Sequence, residues 1–85
     1  MSTSAAHSEP RAIRVEFTED ELVVLLGDAR RIAVPLTWFP RLLHATIDQR
    51  SNWELLGDGA GIHWPEVDED ISVHGLLHGR SSVES

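Results

Sequence analysis

Residues 12–34 read AIRVEFTEDELVVLLGDARRIAV, and this stretch decides the fold. Ile13, Val15 and Phe17 alternate with Arg14 and Glu16, the period-two pattern of a half-buried strand. Thr18-Glu19-Asp20-Glu21 is a polar turn, and Leu22 to Leu26 is an apolar run of strand-forming residues closed by Gly27-Asp28. From Arg31 to Val34 the alternation resumes, with Ile32 and Val34 on one face. Turns this short join neighbouring strands in antiparallel order, so a three-stranded meander is expected.

Pro35 ends the third strand. Thr37 is the expected N-cap of a helix in which Pro40 falls in the first turn, where its missing N–H costs little. Phe39, Leu42, Leu43, Thr46 and Ile47 follow at the spacing of one apolar helix stripe, which is expected to face the sheet. After Ser51-Asn52, Trp53 to Leu56 and Ile62 to Trp64 read as a hairpin around Gly57-Asp58-Gly59-Ala60-Gly61. Past Pro65, Asp68 suits a helix N-cap, with Glu69 and Asp70 in the first turn. Ile71, Val73, Leu76 and Leu77 then form its buried side and Gly79 its stop. The expected architecture is α+β, in the order βββαββα, with antiparallel strands packed against two short helices. Residues 11–79 are read as one domain, flanked by flexible tails at 1–10 and 80–85 that are poor in core-forming residues.

Composition narrows the chemistry. The 85 residues carry 14 acidic and 7 basic side chains, a net charge of −7, with 41% hydrophobic and 25% charged residues, as in an ordinary globular domain. No cysteine is present, which excludes disulfides, thiolate catalysis and Cys-ligated zinc. All the basic residues are arginine, so Schiff-base lysine chemistry and the lysine of a P-loop are excluded as well. The acidic balance argues against direct binding to nucleic acid, whose affinity rests on cationic contacts to phosphate, and fits a basic protein partner. The longest apolar run, Leu22 to Leu26, is far short of the ~20 residues that span a bilayer, and no signal-peptide pattern opens the chain. A cytoplasmic location without membrane association is expected. A domain of about this size buries only roughly 60% of the surface its chain exposes, so a homodimer is a second expectation.

Three blocks of sequence carry a resemblance. Val34-Pro35-Leu36-Thr37-Trp38-Phe39-Pro40-Arg41-Leu42-Leu43, Trp53-Glu54-Leu55, and Gly61-Ile62-His63-Trp64-Pro65-Glu66-Val67-Asp68-Glu69-Asp70-Ile71-Ser72-Val73 with Gly75-Leu76-Leu77 resemble the small bacterial family known as domain of unknown function 2442. The match runs from about Ile13 to Gly79, and the blocks keep the family's order and spacing. The resemblance implies a βββαββα fold similar to the N-terminal domain of a nitrosomonad protein in which such a domain precedes a helix-turn-helix segment, and it implies no known activity. It also implies proximity to genes for a second small domain, in pairs of toxin–antitoxin type. These 85 residues leave no room for a helix-turn-helix beside the domain, so a role on DNA is expected to require a partner.

The densest group of chemistry-bearing residues is Glu66, Asp68, Glu69 and Asp70. Four carboxylates in five positions suit Mg²⁺ or Ca²⁺, or a split pair for acid–base work, yet helix capping and dipole compensation account for the same residues. The EF-hand pattern is missing. On a continuous helix Asp70, His74 and His78 fall at i, i+4 and i+8, which makes them weak candidates for zinc, nickel or copper. The glutamate of the HExxH pattern is absent, since Gly75 follows His74. His63 near Asp68 or Asp70 has the makings of a general base, although no G-x-S-x-G nucleophile accompanies it. The glycine-rich turn at 57–61 precedes a strand and not a helix, so it is a hairpin and not a phosphate cradle. Trp38, Phe39, Trp53 and Trp64 read as core or as the centre of an interface. Arg30-Arg31 with Arg11 and Arg14 read as ordinary ion pairing beside Glu16 and Asp28.

The leading expectation is a non-enzymatic protein–protein interaction or regulatory module without a cofactor. Its partner is another small protein, basic and encoded nearby, and Trp38, Trp64, Glu66, Asp68, Glu69 and Asp70 are its contact candidates. The alternative is a small ligand-binding or catalytic domain that uses the Trp64–Asp70 segment with His63 or His74. An accessory subunit for a DNA-binding partner is a third reading.

Overall fold

The computed structural model describes residues 10–79. The expected tails, apart from Pro10, lie outside the described residues. Strands β1 (Ala12–Phe17), β2 (Glu21–Leu26) and β3 (Arg31–Pro35) form an antiparallel sheet in the order β1-β2-β3. A second antiparallel sheet consists of β4 (Glu54–Leu56), β5 (Gly61–Trp64) and β6 (Glu69–Ser72). Helices α1 (Pro40–Leu43) and α2 (Ile47–Ser51) lie between the sheets in sequence, and α3 (Val73–Leu77) follows the second. The α+β class and the βββαββα order hold. The middle helix is divided in two, and an additional strand precedes the last helix.

The meander closes through local chemistry. Thr18 Oγ1 accepts the N–H groups of Asp20 and Glu21, while Thr18 N donates to the Glu21 carbonyl, so the polar turn is held by its own threonine. The second turn places Ala29 at φ 77°, and Asp28 accepts the Arg30 N–H. The expected phase of β1 is corrected at its start. Ala12 pairs with Leu26 and Arg14 with Leu25, which leaves Ile13 in a bulge and 60% exposed. One extra residue reverses the inward–outward alternation, so Ala12 and Val15 are buried and Ile13 is not.

The expected single helix after Pro35 is also corrected. Leu36–Trp38 forms a 3₁₀ turn, Thr37 caps nothing, and α1 starts with Pro40 at its first position. The chain then breaks at Thr46, whose Oγ1 accepts the Gln49 N–H while Gln49 Oε1 accepts the Thr46 N–H. This reciprocal box starts α2 anew, because a threonine side chain competes for backbone groups inside a helix and satisfies them at its start. Leu42 therefore remains in the core, whereas Ile47 turns out to solvent at 78% exposure.

The third correction concerns the last segment. Asp68 sits at φ 55° in the turn after β5 and is not a helix cap. Glu69 to Ser72 pair with β5, with Glu69 and Ile71 inward and Asp70 and Ser72 outward. The cap of α3 is Ser72, whose Oγ accepts the Gly75 N–H at 2.8 Å.

Leu22, Val24 and Leu26 of the first sheet meet Ile62, Trp64 and Ile71 of the second in one core, closed by Leu36, Leu42 and Leu76. The β4–β5 turn joins the layers. Arg11 Nη1 donates to the Gly57 carbonyl, Val73 N donates to the Ala60 carbonyl, and Gly59 lies against the backbone of Ala12. A Cβ on Gly59 would stand 2.3 Å from the Ala12 oxygen, and its φ of +100° favours glycine in any case. Among the described residues no helix is long and apolar enough to cross a membrane.

Candidate functional site

The acidic segment does not gather into one site, because a strand sends successive side chains to opposite faces. Trp64 is fully buried, its indole N–H donates to the Arg50 carbonyl at 3.0 Å, and its ring meets Phe17 edge-on at 6.3 Å. Glu69, opposite Trp64 in the sheet, is 5% exposed. Burial pushes its carboxyl above the usual glutamate range, against the opposing pull of the Arg41 guanidinium. Arg41 also donates to the Asp68 carbonyl. Glu66 stays at the surface and accepts from Asn52 Nδ2 at 2.8 Å. Of the expected contact residues, Trp64 and Glu69 thus belong to the interior, and Trp38 packs half-buried against the core. Glu66, Asp68 and Asp70 face solvent.

On the outer side of the second sheet, Glu54, His63 and Asp70 occupy adjacent strands at one level. His63 Nδ1 pairs with Asp70 Oδ1. This hydrogen bond, reinforced by the charges of Glu54 and Asp68, raises the imidazole pKa above its ordinary value. A histidine oriented by a carboxylate is a component of acid–base catalysis. The hydroxyl on the same strand, Ser72, is committed to capping α3.

The expected metal set is not assembled either. Because Asp70 lies on β6 beside His63, it is not one turn from His74. His74 and His78 stack on α3 with ring centroids 4.3 Å apart, and His78 Nδ1 donates to the His74 carbonyl. Among the described residues no group of three His, Cys, Asp or Glu side chains stands ready for a metal ion.

Five of the six described arginines are engaged within the chain. Arg11, Arg41 and Arg50 spend their guanidinium groups on backbone carbonyls, and Arg14 and Arg30 pair with Glu16 and Asp28. The Arg30 contacts hold the Asp28 carboxyl below its ordinary pKa. Arg31 is exposed without such a contact, and Glu19, Asp20, Asp48, Glu54 and Asp58 remain exposed, so most of the exposed charges left outside these contacts are negative.

A feature that sequence reasoning missed lies between the end of β1 and α2. There an open cavity of about 470 Å³ is walled by Val15 and Phe17 on one side and by Ile47, Arg50 and Trp53 on the other. Arg50 stacks over the Phe17 ring at 5.4 Å and donates to the Leu42 and Leu43 carbonyls, which fixes α2 at this distance from β1. The available signal was Thr46-x-x-Gln49, a capping-box sequence that restarts the helix and turns Ile47 outward.

A family model described as "Protein of unknown function (DUF2442)" matches residues 12–82. A crystal structure of a protein of unknown function from Rhodospirillum rubrum ATCC 11170 is 33% identical, with a TM-score of 0.74 over 87% of this chain and 92% of that one. The solution structure of an uncharacterized protein from Chromobacterium violaceum is 26% identical, with a TM-score of 0.71 over 84% of this chain and 67% of that one. Among curated proteins none matches the chain.

Proposed function

The chain belongs to the DUF2442 family of proteins of unknown function, and from that premise we propose that it is a non-enzymatic module that binds a basic protein partner. The carrying observation is the one-sided surface charge. Five of the six described arginines bond to carbonyls or pair with Glu16 and Asp28, while Glu19, Asp20 and Glu21 beside the first sheet and Glu54, Asp58 and Asp68 beside the second stand exposed to meet a cationic surface. The alternative reading, a catalytic or ligand-binding domain at the Trp64–Asp70 segment, has less support. His63 and His74 lie outside the lining of the cavity between β1 and α2, and Ser72 is engaged as a cap.

The test is capture of partners from the native host by the tagged protein at low and at physiological salt. The wild type is compared with a Glu54→Arg/Glu66→Arg double variant. A stoichiometric basic protein that is released as salt rises, and that the variant fails to retain, is the expected result. Equal retention by both proteins, or no partner at low salt, would overturn the reading.

A further inference from the structure

We propose that the free edge of β1 together with the cavity beside it is a docking groove for a short extended segment of a partner protein. That segment places one large apolar side chain in the cavity and basic residues on either side of it. The inference rests on the interaction reading above and specifies where the partner sits.

The first argument is geometric. Successive residues of a strand point to opposite faces, so a cavity on one face of β1 would touch only alternate residues. This cavity touches Val15, Glu16, Phe17 and Thr18 in succession, and therefore runs along the strand's edge, where the backbone is exposed. β1 is an edge strand, bonded only to β2. The hairpin register identifies which groups the edge offers. Thr18 bonds to Glu21 across the turn, and bonded pairs recur at every second position, so Glu16 opposite Val23 and Arg14 opposite Leu25 spend their backbone groups on β2. The N–H and C=O groups of Val15 and Phe17 consequently point away from β2, toward the cavity.

The second argument is that the groove has ends. Toward the start of β1 the edge is closed by Gly59 against the Ala12 backbone, and the bulge at Ile13 breaks the ladder. Only the stretch from Val15 to Thr18 is open, enough for one added strand of a few residues. Its far wall carries two apolar side chains beside Arg50 and Ser51: Trp53 is half-buried, and Ile47 has 78% of its surface in water with none of the described residues covering it. Peptide addition to a sheet edge works in this way, with backbone bonds supplying affinity and a side-chain pocket supplying selectivity.

Charge selects the occupant. Glu19, Asp20 and Asp48 flank the cavity in sequence and are exposed, whereas the nearby cations are engaged: Arg50 with carbonyls and the Phe17 ring, and Arg14 with Glu16. A second copy of this acidic edge would meet its own carboxylates, so the groove fits a basic segment of another protein.

The experiment is selection of a library of random octapeptides on the intact wild-type protein, with counter-selection on Ile47→Asp. Because Ile47 is largely in solvent, that variant is expected to keep the fold, which its amide spectrum verifies. The expected winners carry one aromatic or large aliphatic residue with lysine or arginine on both sides. They bind Ile47→Asp at least tenfold more weakly, lose binding when alternate peptide nitrogens are methylated, and shift the amide signals of Val15 and Phe17 and the indole signal of Trp53. The proposal is overturned if no peptide is enriched, if the winners are acidic, if methylation is harmless, or if the shifts map elsewhere. It is also overturned if the same signals move on concentrating the protein alone, which would make a second copy the occupant. Failure here with a salt-sensitive, charge-dependent host partner still captured removes the groove and leaves the interaction reading. Peptide binding in the groove without any captured partner does the reverse.

Discussion

Glu69 and Asp70 are neighbours in sequence with opposite environments, one buried and one exposed. Glu69 carries a carboxyl whose pKa the fold raises, so the folded state holds its proton more tightly than the unfolded chain does. The stability it contributes is complete below the ordinary glutamate range and is lost as pH rises through the raised value. Glu69→Gln is therefore expected to gain stability relative to wild type as pH increases from about 4 to about 7; paired denaturant titrations measure it, and a gap that does not change with pH would contradict the assignment. His63 also has a raised pKa, through Asp70, with the same sign. Its pairing stabilises fully below about pH 6.5 and fades as pH rises through the raised value. In Asp70→Asn the His63 titration followed by NMR is expected to fall toward the ordinary histidine range. Sequence placed His63 near Asp68 or Asp70, of which the structure pairs it with Asp70, yet it set Asp70 on a helix with His74. An Asp-Glu-Asp run favours a helix's first turn over a strand, and pairing with β5 overrides that local preference.

At the level of elements, the meander was legible because turn chemistry and alternation agree over 12–34, apart from the bulge, which has no signature in the residues around Ile13. The middle helix was misread because apolar spacing was weighed without the cap that interrupts it. That cap matters energetically: Thr46→Ala loses the Oγ1 that accepts the Gln49 N–H and is expected to cost about 1 kcal/mol, roughly 4–8 °C in Tm for a domain of this size. Thermal melts check it, and the chemical shifts of Trp53 and Phe17 should move as α2 loosens beside the cavity. The β4–β5 turn is less tolerant. Gly59→Ala combines a left-handed backbone with a clash against the Ala12 carbonyl, and a loss on the order of 3 kcal/mol is expected from denaturant midpoints.

For the molecule as a whole, Trp64 is where the layers converge. It touches Phe17 of the first sheet, bonds to Arg50 of α2 and pairs across the second sheet with Glu69. Removing a buried tryptophan costs about 3–5 kcal/mol, a large part of the roughly 5–15 kcal/mol that holds a typical domain together. Trp64→Ala is expected to be largely unfolded by circular dichroism, whereas Ile47→Asp should be near wild type. This contrast also explains why the cavity escaped the sequence: its walls come from segments far apart along the chain, Val15–Thr18 and Ile47–Trp53, and only tertiary packing brings them together. The same distance governs the join at the β4–β5 turn. Arg11 reaches Gly57 across a sequence separation of 46 residues, so this clasp closes a long loop and is expected to form after each sheet has paired locally. The clasp is therefore a latch on the finished fold: weakening it at Gly59 should leave the rate of folding nearly unchanged and show itself as faster unfolding.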